Sequence, residues 1–240
     1  MRALSFLLLV TMCSCDSKER PGDPLDEARR LARQGKFEQA LQKHIWIHDH
    51  VLEANPSYYG VRLSFALADW IDLGKKYPKA LETLRGIRDK KVSRLLAGGA
   101  DRDLFNDVEA INKCLGESKA TVELFKKIEA AQPGFASSIY DLADEALFKA
   151  QEYDLAKKCL GDPKAKFSTA KANFDQGMQF ARTSRNGDAT RRAFESIFTH
   201  KVVRIIVVLD KTGDRTVAQE IQSDALAVLD NPAIRGAISK

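Results

Sequence analysis

The chain has 240 residues, which is enough for one elongated domain or two small ones. Its hydrophobic content of 44% and charged content of 30% belong to a soluble globular protein, so a chain dominated by membrane-spanning or disordered sequence is excluded. The formal net charge is +5. Only the N-terminal segment departs from this composition.

Residues 1–14 are predicted to be a signal peptide. Arg2 supplies a positive charge, and the apolar run ALSFLLLVTM that follows is shorter than the roughly 20 residues that a bilayer span needs. Cys15 comes directly after the residues MCS, and this junction resembles the lipobox of bacterial lipoproteins. The polar residues 15–23 then predict a flexible tether between an anchor and a folded body.

The lipobox resemblance implies that Cys15 carries a lipid after signal cleavage. It therefore implies an exported protein of the cell envelope that is anchored in a membrane and faces the periplasm. The usual lipobox has Leu three positions before the cysteine and a small residue two before it, whereas this chain has Met and Cys there. An ordinary cleaved signal, which would give a soluble periplasmic or secreted protein, is the alternative.

The rest of the chain predicts helices only. Six of the seven prolines lie at or just before a predicted helix start, and none interrupts an apolar pattern. A tight turn is predicted at residues 74–76. The predicted helices are 25–34, 37–53, 58–73, 78–88, 91–97, 103–115, 118–131, 135–150, 153–160, 164–184, 188–211, 214–229 and a short last helix that begins at Pro232. We therefore expect an all-α fold.

A short pattern recurs where second helices begin, with an aromatic residue followed three positions later by alanine. Its three copies are Phe37 and Ala40, Tyr77 and Ala80, and Tyr153 and Ala156. Small residues lie at expected helix crossings, and prolines follow two of the second helices. These features resemble the tetratricopeptide repeat, a helical hairpin of about 34 residues.

The resemblance covers residues 24–161, and one further degenerate repeat is expected within the C-terminal extension, residues 162–240. It implies stacked antiparallel helical hairpins, a TPR-like α-solenoid, whose groove binds a protein or peptide partner without catalysis. Two departures are clear. The third hairpin has Ser118 and Thr121 in place of the aromatic residue and the alanine, and residues 164–198 match no repeat well.

A charged stripe is expected on the helix predicted at 58–73, which is otherwise apolar. In a TPR-like stack this stripe would face the groove together with charges from the first and third repeats. The expected partner-binding residues are Arg29, Arg33, Arg62, Asp69, Asp72 and Lys113. The alternative is that Arg62 and Asp69 only complete a polar network between repeats.

Asp210 is the one residue that suggests an enzyme. It begins the sequence DKTG after an apolar run, and this resembles the phosphorylation motif of P-type ATPases, in which a strand delivers a nucleophilic aspartate. The motif requires threonine where this chain has Asp214, and it requires large downstream segments that are missing before Lys240. We therefore expect a helix and a turn there, with a hydrolase as the remote alternative.

Two histidines and two cysteines are the remaining residues with chemically reactive side chains in a suggestive arrangement. His44 and His48 are four residues apart on one helix face, a spacing that allows two zinc ligands, but packing beside Trp46 is the expected role. Cys114 and Cys159 are expected to be reduced and buried, although export would permit a disulfide. We expect no catalytic residue, metal or other cofactor.

The basic charge is concentrated between residues 164 and 211, which hold ten Lys and Arg against four Asp and Glu. This surplus suggests an alternative function, an envelope structural or assembly lipoprotein whose basic C-terminal helices contact a membrane or cell-wall polymer. Nucleic acid is not expected as a partner, because the chain carries an export signal and no recognition motif.

Overall fold

The computed structural model describes residues 22–238. Every regular element in that range is a helix, so the predicted all-α fold is confirmed. The chain divides into two compact units, residues 1–62 and residues 63–240. The predicted signal peptide, Cys15 and most of the predicted tether lie outside the described residues.

The first unit is a helical hairpin followed by a shorter turn of helix. Asp23 caps the first helix by accepting hydrogen bonds from the backbone N–H of Leu25 at 2.8 Å, and its carboxylate also accepts one from the hydroxyl of Tyr58 at 2.6 Å. Asp23 therefore connects the start of the first unit to Tyr58 near its end. Its elements are α1 (Pro24–Arg33), α2 (Phe37–Ala54), a 3-10 turn (Pro56–Tyr58) and α3 (Tyr59–Arg62).

The second unit consists of helical hairpins that pack in chain order. Its helices are α4 (Phe65–Lys76), α5 (Pro78–Leu96), α6 (Arg102–Leu115), α7 (Ser118–Ala131), α8 (Pro133–Lys149), α9 (Tyr153–Leu160), α10 (Pro163–Thr183), α11 (Gly187–Lys211), α12 (Arg215–Val228) and α13 (Pro232–Arg235). The first helices of the α4–α5, α6–α7 and α8–α9 hairpins lie side by side, α4 on α6 and α6 on α8, and α8 also packs on α11. This order places charged side chains from α6, α8 and α11 next to one another.

The alanines of the repeated pattern are buried in the interior of the protein. Ala40 and Ala80 are fully buried and Ala156 is nearly so. A methyl group at these positions lets the paired helices approach closely, which explains why a small residue recurs there.

Thr121 occupies the alanine position of the α6–α7 hairpin and is also buried. Its hydroxyl accepts a hydrogen bond of 3.1 Å from the side-chain amide of Asn112, and the amide oxygen of Asn112 accepts one of 3.2 Å from Arg88. A buried hydroxyl needs such a partner. The hydrogen bond from Asn112 therefore satisfies the hydroxyl group that Thr121 brings to the alanine position of the repeat pattern.

The helix predicted at residues 58–73 is divided, which corrects the expectation of one continuous helix. Arg62 ends α3, and α4 begins only at Phe65. The turn expected at residues 74–76 lies inside α4, and the chain reverses at Tyr77 instead. Tyr77 is extended (φ −135°, ψ 87°), as a residue before proline prefers to be, so Pro78 can begin α5 at once.

The helix predicted at residues 91–97 is the last part of α5, which runs unbroken to Leu96. Leu95 is completely buried and Lys91 forms an ion pair of 2.7 Å with the buried carboxylate of Asp107 on α6. Both contacts hold this end of α5 against the next hairpin. The long helix thus continues because α6 provides it with a packing surface.

Candidate binding groove

A groove of about 370 Å³ opens on α11, between α8 and α10. Both neighbouring helices pack on α11, and their facing sides leave the groove between them. We call it the α11 groove. A volume of this size is typical of pockets that take a small ligand or a few side chains of a partner.

The residues that α11 contributes recur with helical spacing. They are Phe194, Ile197, Phe198, Lys201 and Ile205, which together span about 16 Å along the helix axis. Phe198 is 2% exposed and its ring lies 4.9 Å from that of Phe174 on α10, whereas Ile197 is 54% exposed. The base of the groove is therefore a fixed aromatic cluster with an apolar side chain open to solvent beside it.

One face of α10 forms a wall of the groove. The lining residues Lys166, Thr169, Ala170, Asn173 and Phe174 are spaced at three, four, seven and eight positions from the first. This is the spacing of a helix face that normally packs against another helix. The wall is apolar at Ala170 and Phe174 and polar at Lys166, Thr169 and Asn173.

The opposite wall, on α8, carries two carboxylates. Asp144 is 12% exposed in its side chain and accepts hydrogen bonds from Lys201 at 2.8 Å and from Arg204 at 3.2 Å, both on α11. Asp141 accepts two hydrogen bonds from the guanidinium of Arg102, at 2.9 and 2.7 Å. Each carboxylate is thus held by a neighbouring helix and is already neutralised.

These contacts also fix the protonation states at this wall. Burial alone would raise the pKa of Asp141, but the hydrogen bonds from Arg102 outweigh it and lower that pKa below the usual range. Burial raises the pKa of the Tyr140 hydroxyl, with a smaller contribution from Asp144, so this hydroxyl stays protonated at neutral pH. Neither group is prepared to act as a base.

The lining of the groove is balanced in charge, because it holds the carboxylates of Asp141 and Asp144 and the ammonium groups of Lys166 and Lys201. Asp141 is paired with Arg102, and Asp144 is paired with Lys201 and Arg204. Lys166 is half-buried and forms no ion pair with a carboxylate among residues 22–238. Lys166 therefore favours an occupant that places an acidic group beside it.

Lys113, one of the expected partner-binding residues, lies on the next helix away from the groove. Its ammonium contacts Glu145 of α8 at 2.7 Å, and Lys149 contacts the other oxygen of Glu145 at 2.6 Å. Hydrogen bonds from these two lysines lower the pKa of Glu145 to about 2. Lys113 is thus joined to the same α8 surface as Asp141 and Asp144, although its charge is already paired.

The other five expected partner-binding residues are placed as follows. Arg29 forms an ion pair of 3.1 Å with Asp26 on its own helix, and Arg33 is exposed at the end of α1. Asp69 is half-buried, and Asp72 is exposed and paired with Lys75 on its own helix.

Arg62 is 5% exposed and donates a hydrogen bond of 3.2 Å to the backbone carbonyl of His48. Because α3 and α4 are separate helices, Arg62 does not share a helical stripe with Asp69 and Asp72. A binding role for these three residues stays a prediction, but the single stripe on which it rested is absent.

The histidines lie in the interior of the first unit. His44 is 2% exposed and His48 is 5% exposed, and burial lowers the pKa of His44 to about 4, with help from the nearby charge of Arg29. Among the described residues there is no cluster of three or more side chains suited to hold a metal ion.

The structure also shows the surroundings of Asp210 and of the two cysteines. The apolar run before Asp210 belongs to α11, so the strand that the ATPase motif requires is not formed. The Asp210 side chain is 5% exposed and lies 3.9 Å from Arg215. Cys114 and Cys159 are free thiols, and Cys159 is buried as expected, whereas Cys114 is only half-buried.

Sequence reasoning did not find the α11 groove. The signal was present as two runs of helical spacing, 166 to 174 and 194 to 205, but each reads equally well as a helix face covered by its neighbour. Only the separation of α8 from α10 leaves these two faces open.

A scan against protein-family models gives no match to this chain, and no curated protein matches it significantly. No helix in the described range is long and apolar enough to span a bilayer.

Proposed function

We propose that this protein is a non-catalytic scaffold that binds a protein or peptide partner, with the α11 groove as its main contact site. One observation carries the proposal: the groove is apolar at its base and has preformed ion pairs at its rim. An apolar base with a polar rim is typical of sites that bury anchor side chains of a partner. The similarity to tetratricopeptide repeats, whose members chiefly bind proteins, supports the same function by analogy.

The polar groups of the groove argue for binding rather than catalysis. A general base needs a free group whose pKa is near the working pH, and a nucleophile needs such a base beside it. Asp141 is bound by Arg102 and Asp144 by Lys201 and Arg204, so each carboxylate already has cationic partners. A hydrolase based on Asp210 has no further support from the surroundings of that residue.

The test is site-specific photocrosslinking in the source cell. A photoreactive residue replaces Ile197, which is exposed beside the groove, and in a matched variant it replaces Lys127, which is exposed on α7. We expect one defined crosslinked protein from position 197 and none from position 127. Equal labelling from both positions, or no labelled protein at position 197, would contradict the proposal.

The location proposed for this scaffold is the cell envelope, with the chain anchored through Cys15. The proposal rests on the signal-like residues 1–14 and the cysteine that follows them. Cys15→Ala should remove an acyl mass increase that the unaltered protein carries. If the unaltered protein has no such increase, the anchor is wrong while the binding function is unaffected.

An alternative function is contact with an anionic surface through the turn between α10 and α11. Arg182, Arg185 and Arg192 are exposed near this turn. Basic residues of this kind add about 1 kcal/mol each to the binding of anionic lipid. Co-sedimentation with phosphatidylglycerol vesicles, lost when the three arginines are changed to glutamine, would favour this alternative.

A further inference from the structure

We propose that the occupant of the α11 groove is an amphipathic helix of about three turns with an acidic flank, contributed by a partner protein. This inference rests on the proposed function and specifies the class of segment that binds. It follows from the shape of the groove, the hydrogen-bonding groups it offers and its charge.

The residues that line the groove have the spacing that a bound helix would need. The α10 wall (residues 166–174) and the α11 base (residues 194–205) both present residues at the spacing by which helices pack on one another. The base spans about 16 Å, which corresponds to about eleven residues of a helix. A helix laid in this groove would have two apolar faces to pack against, one on α10 and one on α11.

The hydrogen-bonding groups favour a helix over an extended segment. An extended peptide needs partners for its backbone N–H and C=O groups, which it usually finds at a sheet edge. The described residues form no strand, and the backbone groups of α8, α10 and α11 are used within these helices. A helix satisfies most of its own backbone groups and therefore leaves few of them without a partner in an apolar groove.

The charge of Lys166 decides where the bound helix is acidic. Lys166 lies on the α10 wall without a carboxylate partner in the described range, whereas Lys201 is already paired with Asp144. An acidic residue on the partner would pair with Lys166, whereas a basic one would be repelled by it. The bound helix therefore carries an acidic flank at the end of the α10 wall where Lys166 lies, and apolar residues against Ala170 and Phe174.

The experiment selects peptides without prior choice of charge. A displayed library of random 15-residue peptides in a helix-favouring frame, and a second library with proline fixed at the central position, are both panned on the immobilised full chain. We expect binders from the first library alone, with apolar residues at positions i, i+4 and i+7 and an excess of Asp and Glu. Their binding is then measured by fluorescence polarisation.

Three variants locate the binding site. Ala170→Trp fills the groove and should weaken the selected peptides at least about tenfold, and Lys166→Glu should do so for acidic peptides while improving their Lys-substituted counterparts. Lys171→Glu is the matched control, because Lys171 lies on the same helix but pairs with Asp175 outside the groove. It should leave binding unchanged. If Ala170→Trp does not fold, Ile197→Glu at the exposed rim replaces it.

Several results would overturn the inference. They are binders that tolerate the central proline, binders with a basic flank, binders unaffected by the groove variants, or no binder tighter than about 100 μM. Self-association of the chain that Ile197→Glu abolishes would assign the groove to a second copy instead. If the helical library fails while position 197 still crosslinks to a protein, the proposed binding function stands and only the helical class of partner is wrong.

Discussion

Gly177 of α10 lies against the aromatic ring of Phe194 on α11. A methyl group added at Gly177 would come within 2.2 Å of two ring atoms, far inside van der Waals contact. The absence of a side chain therefore brings the two longest helices of the second unit close together. It also sets the position of a ring that lines the α11 groove.

Gly177→Ala should consequently lower the free energy of unfolding. Overpacking of this kind costs about 1–3 kcal/mol, which exceeds the gain of up to about 1 kcal/mol from helix propensity. Because the Phe194 ring must move, peptides selected on the groove should also bind more weakly. Urea denaturation and fluorescence polarisation measure the two effects.

Gly86 provides the control for this prediction. It lies in the interior of α5, and a methyl group there would meet nothing within 4 Å. Gly86→Ala should be neutral or stabilise the chain by up to about 1 kcal/mol. Equal effects of the two substitutions would show that the contact with Phe194 does not decide the outcome.

The buried pair of Asn112 and Thr121 provides a second prediction. Thr121→Ala removes the hydroxyl that receives the amide hydrogen of Asn112, and leaves that donor buried without its partner. The expected loss is about 1–3 kcal/mol in the free energy of unfolding. Thr83→Ala is the matched control, because the Thr83 hydroxyl bonds only to the backbone of its own helix at an exposed site. A loss as small as that of the control would mean that water replaces the hydroxyl.

The sequence predicted the helices well where a local signal marks their ends. The bounds of α7 (Ser118–Ala131) and α9 (Tyr153–Leu160) agree with prediction at both ends. Gly116 precedes α7 and adopts a left-handed conformation (φ 74°), which glycine takes without steric cost, and Pro133 follows α7. Such residues act through their own backbone, so they can be interpreted without knowledge of the fold.

The predictions that were wrong concern features that depend on how the helices pack on one another. Gly74 was expected in a turn, but it continues α4 because its missing side chain makes room for Leu81 of α5. Arg62 was expected on a surface stripe, but its burial depends on how α3 folds back on α2. The α11 groove depends on the space between α8 and α10. Helical periodicity shows which face of a helix is apolar, but it does not show whether another helix covers that face.

His44 should make the stability of the first unit depend on pH. Burial lowers its folded-state pKa to about 4, whereas an unfolded histidine has an ordinary value near 6.5. Between these values the unfolded chain binds a proton that the folded chain does not. The free energy of unfolding should therefore fall as the pH drops from 6.5 to 4, by about 3 kcal/mol, and this contribution should then stay constant below pH 4.

The measurement is denaturant unfolding at pH 7 and at pH 5, followed by a probe in residues 22–62. His44→Leu should remove most of the difference between the two pH values, whatever it does to stability at pH 7. His50→Gln is the control, because the His50 side chain is 53% exposed and lies 3.1 Å from Glu53 on its own helix. If His44→Leu retains the full pH dependence, another group causes it.

A substitution at Arg62 distinguishes a role on the binding surface from a role in the protein interior. Its guanidinium donates to the carbonyl of His48 and lies 5.8 Å from the centre of the Tyr59 ring, within reach of a cation–π interaction. A carboxylate at this position could make neither contact and would be buried. Arg62→Glu should therefore lower the free energy of unfolding by roughly 3 kcal/mol.

Arg33→Glu makes the same change of charge on the surface of the same unit. Arg33 is exposed in the last turn of α1, where a positive charge gains at most about 1 kcal/mol from the helix dipole. Thermal unfolding of the two variants should show a much larger fall in melting temperature for Arg62→Glu. A melting temperature for Arg62→Glu within a few degrees of the unaltered chain, together with loss of partner crosslinking, would instead place Arg62 on the binding surface that the sequence predicted. Because the guanidinium is 5% exposed and hydrogen-bonded to the neighbouring helix, we expect the loss of stability.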